Sequence, residues 1–226
     1  MYKAILWDID GTLLNFDMAL SAAIMDCFQR CGLGECSDRM TRRYAEINEG
    51  YWKMLERGET TRQELFIRRF EDFFAEYGIN YSTAEFDRLY KLSLREQVFF
   101  NDNSYDLVRS LRGKVKQFAV SNTPAAELNA KLKKSGLDLL FDGIFISEYI
   151  GYVKPSPQFF DKVFDAVPEI SREQSIIVGD SLTSDMKGAN NAGIDCCWYN
   201  PEHKPAPSGL RIDYTISDLN EIVSII

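Results

Sequence analysis

Residues 6–14 read LWDIDGTLL: an apolar run that ends in two aspartates one residue apart, Asp8 and Asp10, just ahead of Gly11-Thr12. The run KAILW (3–7) has the length and apolar content of a buried strand. Two carboxylates at its end are either part of an ordinary Asp-Gly-Thr turn or chemistry carried at the edge of a sheet. The rest of the chain decides between the two.

Further apolar runs recur at KQFAV (116–120), GIFIS (143–147), SIIVG (175–179), DCCWY (195–199) and DYTI (213–216). Helical patterns over 124–135, 156–167 and 183–192 separate most of them, and strands alternating with helices of this length imply a parallel sheet covered on both faces. The expected fold class is α/β, a doubly wound, Rossmann-like parallel sheet. Between the first two strands lie roughly a hundred residues, too many for one crossover, with helical periodicity throughout. Leu20, Ile24, Cys27, Phe28 and Cys31 share one face; Met40, Tyr44, Ile47, Tyr51 and Met54 share another; Phe66, Phe70, Phe73 and Tyr77 share a third. Thr61-x-x-Glu64 and Ser82-x-x-Glu85 read as capping boxes, with Gly58 and Gly78 as stops. The expected organisation is an α/β core of residues 1–14 and 99–226 with an all-helical insert over 15–98, entering directly after the two aspartates.

The same kind of residue follows strand after strand. Asp8-Ile9-Asp10 follows the first, Ser121-Asn122-Thr123 the second, Lys154-Pro155 comes in the loop after the third, and Asp180-Ser181 with Asp185 follows the fourth. Singly, Ser-Asn and Gly-Asp are frequent helix N-caps and Lys-Pro is a common surface dipeptide. Asp8, Asp10 and Asp180 together are different, because converging carboxylates repel one another and cost stability unless a cation holds them. Oxygen-only ligands in a compact site suit Mg²⁺.

Composition narrows the chemistry. Among 226 residues there is a single histidine, His203, in a Pro-rich stretch, so histidine-based proton transfer and Ser-His-Asp triads are set aside and carboxylates must move protons. The formal charge of -8 is spread without blocks, which argues against a nucleic-acid polymer as partner and requires any anion to be attracted locally. Five cysteines, an odd count with Cys196 and Cys197 adjacent, suit a reducing compartment. With no signal-like N-terminus and no run of 18 apolar residues, the expectation is a cytoplasmic protein without membrane partners.

The order Asp-x-Asp-Gly-Thr, Ser-Asn, Lys-Pro, Gly-Asp-Ser with a later Asp resembles the haloacid dehalogenase (HAD) superfamily of phosphohydrolases over essentially the whole chain, and the helical insert is similar to the cap domain of one branch. The resemblance implies an aspartyl-phosphate mechanism. Asp8 would be the nucleophile, and Asp10 would protonate the leaving oxygen and then activate water. The Asp8 side chain, the Asp10 backbone carbonyl and Asp180 would bind Mg²⁺; Asp185 would orient Lys154 or a water on the metal without being a ligand itself. Ser121, Asn122 and Lys154 would bind the phosphoryl group; Ser121 and Lys154 would also be catalytic, Ser121 with neighbouring N–H groups by hydrogen-bonding the phosphoryl oxygens and Lys154 by offsetting charge on Asp8 and the phosphoryl group. Thr123 departs from the pattern, since relatives often carry Gly there.

Several activities share such a core. A dehalogenase needs neither a metal nor the second aspartate, so Asp10 argues against it. A phosphonate hydrolase needs a Schiff-base lysine, and the insert offers only Lys53 and Lys91, both on charge-rich helices. A phosphosugar mutase uses the same motifs as a phosphatase. For substrate, an insert of this size suits small phosphorylated metabolites. Arg42, Arg43, Asn48, Tyr51, Trp52, Arg62 and Arg69 either recognise a flat base or are simply the insert's own core and solvated face. Motif wording and the helical insert look most similar to the bacterial pyrimidine 5′-nucleotidase branch. A sugar-phosphate or phosphoglycolate phosphatase, or a mutase, is the alternative.

Overall fold

Each of the six apolar runs is a strand in the computed structural model, which describes residues 1–226. In chain order the elements are β1 (Ala4–Trp7), α1 (Phe16–Arg30), α2 (Asp38–Glu56), α3 (Arg62–Tyr77), α4 (Thr83–Glu96), α5 (Ser104–Leu111), β2 (Lys116–Ser121), α6 (Ala125–Ser135), β3 (Gly143–Ile146), the short α7 (Ser147–Ile150), α8 (Pro157–Ala166), β4 (Ser175–Gly179), α9 (Lys187–Ala192), β5 (Asp195–Tyr199) and β6 (Tyr214–Ile216). The strands form one sheet in the order β3-β2-β1-β4-β5-β6, and every pair is parallel. The chain runs outward from β1 through β2 to β3, then returns to lay β4 on the other side of β1. This reversal creates a switch point between β1 and β4, and ligands of open α/β sheets bind at the carboxyl ends of strands flanking such a point.

Side-chain alternation covers both faces of the sheet. Leu6, Val120, Ile177 and Cys196 pack against Phe159, Phe160 and Val163 of α8 and Ala189 and Ala192 of α9. Trp7 points the other way: its Nε1 donates to Gln117 Oε1 at 3.1 Å, and Gln117 Nε2 donates to the Val108 carbonyl of α5 at 2.9 Å. Both ends of the amide of a buried glutamine at a strand position are thereby hydrogen-bonded, as buried polar groups usually are.

The chain divides into two compact units, residues Met1–Asn15 with Phe100–Ile226, and residues Phe16–Phe99. The second is α1–α4. Its core is aromatic, with Phe28, Tyr44, Phe70, Phe73, Phe86 and Tyr90 buried. Most of their contacts are edge-to-face, the Tyr44–Phe70 pair being stacked with centroids 5.0 Å apart. Thr61 and Glu64 form the reciprocal capping box that the sequence predicts. Ser82 forms only half of one: its Oγ accepts from the Glu85 N–H at 3.3 Å, while the Glu85 carboxylate pairs with Arg88 at 2.7 Å.

Several insert side chains offered as base-recognition candidates are spent inside the helical unit. Arg69 is buried over the rings of Phe66, Phe70 and Tyr90, donating to Asn48 Oδ1 and Asp87 Oδ1, each at 2.9 Å. Tyr51 donates to Asp72 at 2.6 Å, and Arg43 pairs with Glu46 and Glu76 on the surface. Lys53 pairs with Glu49, and Lys91 with Asp87, so each cap lysine sits beside a carboxylate. No helix is long and apolar enough to cross a membrane, and all five cysteines are free thiols.

Candidate active site

β1 stops at Trp7, and the following residues turn back at once: Leu14 N–H bonds the Ile9 carbonyl and Gly11 N–H bonds the Leu14 carbonyl, each at 2.8 Å. Gly11 has φ of 99°, and a Cβ there would lie 2.6 Å from an Asp180 carboxylate oxygen, so only glycine allows both the turn and the approach of Asp180. Asn101 Nδ2 ties the loop down through the carbonyls of Gly11 and Thr12, at 3.0 and 2.9 Å. β4, hydrogen-bonded to β1, ends at Gly179 and delivers Asp180 beside Asp8. Carboxylate oxygens of Asp8, Asp180 and Asp185 all lie within 4.8 Å of one another.

Asp185 does not begin an ordinary helix. Residues Leu182–Met186 form a π-helical turn, with Met186 N–H reaching back to the Ser181 carbonyl at 3.1 Å, and the α-helix begins only at Lys187. The sequence pattern reads one helix from Thr183. The wide turn buries Asp185 with one oxygen accepting from Ser181 N–H at 3.1 Å and the other from Lys154 Nζ at 2.6 Å. π-Turns of this kind recur at functional positions.

Lys154 is buried at the centre. Its Nζ donates to Asp8 Oδ1 at 2.7 Å, Asp185 Oδ1 at 2.6 Å and the Val120 carbonyl at 2.8 Å, which uses all three ammonium hydrogens. Burial works against this ammonium, but the Asp185 and Asp8 carboxylates outweigh it and hold the pKa above the usual lysine value. Asn122 aims it: Oδ1 accepts the Lys154 N–H and Nδ2 donates to the Lys154 carbonyl, both at 2.9 Å. The Asn122 side chain, expected to meet the substrate, is therefore engaged with Lys154 backbone. Ser121, at the end of β2, is buried with its Oγ accepting from Thr123 N–H at 3.1 Å.

Thr12 stands between two carboxylates, with Oγ1 3.2 Å from Asp8 Oδ2 and 3.1 Å from Asp180 Oδ1, while accepting Asp180 N–H at 3.0 Å. One hydroxyl proton cannot serve both carboxylates at once. Burial is the largest influence on Asp8 and pushes its carboxyl up to about 7 despite Lys154. Asp180 is driven well above the usual carboxylate range, first by burial and then by Asp8 and Asp185. Asp10 lies apart from this triad, its Oδ1 2.8 Å from Lys131 Nζ and its Oδ2 accepting from Thr123 Oγ1 at 2.8 Å. Four carboxylates facing two ammonium groups, Lys154 and Lys131, leave two formal negative charges. That excess and the oxygen-only donor set fit one hard divalent cation, and the Asp triad could hold it.

Of the residues that sequence reasoning places in the site, the structure brings Asp8, Asp180, Asp185 and Lys154 together, and ties Asn122 to Lys154. Thr12, Lys131 and Trp198, whose Nε1 donates to the Asp180 carbonyl at 2.9 Å, were not foreseen. Thr12 belongs to the opening motif, and Lys131 carries a signal in being a lysine on the buried face of α6; nothing in the sequence marks Trp198.

Comparison with known proteins agrees with this geometry. YfnB, a HAD-hydrolase of Bacillus subtilis, is 35% identical over 225 residues, covering 100% of this chain and 95% of the relative. Its magnesium-bound crystal structure superposes with a TM-score of 0.94 over 99% of this chain and 98% of that one, at 34% identity. The pyrimidine 5′-nucleotidase PynA of Streptococcus pneumoniae is 34% identical over 89% of this chain and 85% of its own length. The pyrimidine 5′-nucleotidase YjjG of Escherichia coli is 28% identical over 98% and 96%. Since the profile of the haloacid dehalogenase-like hydrolases also matches residues 2–193, the chain belongs to that family of hydrolases.

Proposed function

We propose that this phosphohydrolase is a Mg²⁺-dependent phosphomonoesterase that works through an aspartyl-phosphate at Asp8 and acts on nucleoside 5′-monophosphates. The observation that carries the chemistry is the Asp8–Lys154 pair beside Asp180: a buried carboxylate next to an ammonium, with the oxygens of Asp180 and Asp185 within 4.8 Å. Bound by the Asp8 and Asp180 side chains and the Asp10 backbone carbonyl, Mg²⁺ would supply positive charge to the phosphoryl oxygens and keep Asp8 ionised. Lys154 holds one Asp8 oxygen, which fixes the direction in which the carboxylate attacks. Asp185, with both oxygens engaged, orients Lys154. Asp10 gives its proton to the departing oxygen and later takes one from the water that cleaves the phosphoenzyme. Ser121 and the neighbouring N–H groups receive the phosphoryl oxygens. In domain terms, residues 1–14 and 99–226 carry the chemistry and residues 15–98 select what is attached to the phosphate.

The nucleotide reading is supported by PynA and YjjG, pyrimidine 5′-nucleotidases that match this chain through its helical insert as well as its core. With Arg43, Asn48, Tyr51 and Arg69 engaged inside the insert, half-buried Trp52 and Arg62 and exposed Arg42 are the remaining candidates for contact with a base. A panel of phosphorylated metabolites tests it. The best kcat/KM belongs to pyrimidine nucleoside 5′-monophosphates, with a preference of about tenfold to a hundredfold over sugar phosphates, the range that stacking on one aromatic ring supplies. Phosphoglycolate or a hexose phosphate outranking every nucleotide refutes the nucleotidase reading and leaves the phosphatase standing; isomerised hexose phosphate would mark a mutase.

A further inference from the structure

The two oxygens of Asp10 are held from two different elements. Lys131 Nζ is 2.8 Å from Oδ1, and Thr123 Oγ1 donates to Oδ2 at 2.8 Å. Lys131 lies on α6 between Leu128 and Leu132, on the face where helical periodicity calls for an apolar side chain, and it is fully buried. An ammonium group in such a place is costly unless it is paired and hydrogen-bonded. Here one pairing partner is a carboxylate of the catalytic edge. Thr123 directly follows the Ser121-Asn122 pair at the end of β2, and its hydroxyl is the donor on this second oxygen. One donor on each oxygen fixes both side-chain torsions of Asp10, which a residue in a short loop would otherwise sample freely.

We infer that Lys131, assisted by Thr123, is a positioning residue for the proton-transferring carboxylate, holding Asp10 where it can reach the leaving oxygen. The inference rests on the reading of Asp10 as the general acid. Proton transfer is sensitive to placement, and a misplacement of roughly 1 Å costs about a hundredfold. The step that suffers is the one that needs a proton. An alkyl alcohol leaves poorly without protonation, whereas a nitrophenolate leaves readily.

The test is kcat/KM, which reports through formation of the phosphoenzyme, for p-nitrophenyl phosphate and for uridine 5′-monophosphate, or phosphoglycolate should the panel favour it. Lys131→Met is expected to lose about 10- to 100-fold on the alkyl ester and less than about threefold on the aryl ester. Lys131→Arg, which keeps the cation, recovers the alkyl rate to within about fivefold of wild type. Asp10→Asn combined with Lys131→Met is no slower than Asp10→Asn alone, because the lysine acts through the aspartate. Thr123→Val shows a smaller loss with the same selectivity and leaves the buried face of α6 untouched, so it carries the test if Lys131→Met does not fold. Unchanged rates, equal losses on the two esters, or additive losses in the double variant overturn the inference. An alkyl-selective loss in Asp10→Asn without one in the Lys131 and Thr123 variants overturns the positioning role alone. No alkyl selectivity in Asp10→Asn itself removes the general-acid reading and the inference with it.

Discussion

Replacing Asp8 with asparagine should stabilise the metal-free protein at about pH 8, although it removes the proposed nucleophile. Burial pushes the Asp8 carboxyl from 3.8 to about 7, with Asp185 and Asp10 adding to it and Lys154 opposing it. A carboxyl raised on folding contributes its full stability only below its unfolded pKa. Between 3.8 and about 7 the folded chain holds a proton that the unfolded chain has released, and stability falls as pH rises through that window. The interval corresponds to about 4 kcal/mol by linkage, and local relaxation and entering water reduce this to about 2–4 kcal/mol. Asparagine carries no such cost, and Lys154 keeps Asp185 and the Val120 carbonyl as partners in the variant. Urea unfolding in excess chelator should therefore find the two proteins similar near about pH 4 and the variant more stable by about 2–4 kcal/mol near about pH 8. Excess Mg²⁺ should shrink the gap by favouring the wild type, since the variant loses one of the proposed metal ligands. A variant less stable than wild type at high pH in chelator, or a gap that does not change with pH, refutes the electrostatic reasoning.

Two further outcomes follow from the same structure. Excess chelator should reduce hydrolysis of p-nitrophenyl phosphate to background, with recovery on adding Mg²⁺, because the carboxylate cluster repels a phosphate dianion unless a cation offsets it; steady-state rates in the two conditions check this. Arg69→Met should destabilise the chain by about 2–4 kcal/mol, a fall in Tm of about 5–10 °C. It strands the Asn48 amide and half of the Asp87 contact, while Lys91 still holds Asp87 at 2.6 Å. Calorimetry checks that value.

The sheet and the acidic edge were legible in the sequence because both are written locally. KAILW, KQFAV and SIIVG each hold a short apolar stretch, as strands buried on both faces do, and each is followed by a charged or hydroxyl residue, Asp8, Ser121 or Asp180. Helix periodicity located the four-helix insert equally directly. What stayed hidden depends on partners supplied from elsewhere in the chain. Arg69 and Asn48 look like a polar helix face, and only the packing of three rings around one guanidinium turns them inward. The Ser82-x-x-Glu85 pattern has the wording of a capping box, yet Arg88 competes for Glu85 from one turn further along the same helix. The π-turn at Leu182–Met186 differs from an α-helix by a backbone hydrogen bond, and it carries Asp185 to within 2.6 Å of Lys154 Nζ. Thr123 drew notice only as a departure from pattern; its hydroxyl on Asp10 became visible once β1 and β2 lay side by side. α5 is eight residues long and follows two asparagines and an aspartate, too short a periodic stretch to separate from loop.

The most direct test of the central claim is to trap the covalent intermediate. Rapid acid quench of the enzyme with ³²P-labelled substrate and Mg²⁺, followed by borohydride reduction and peptide mass spectrometry, should place label on the chain within the first turnover and convert Asp8 to homoserine. Asp8→Asn should carry no label. Label on another residue, or full hydrolytic activity in the Asp8→Asn protein, would contradict the assignment of Asp8 as the nucleophile.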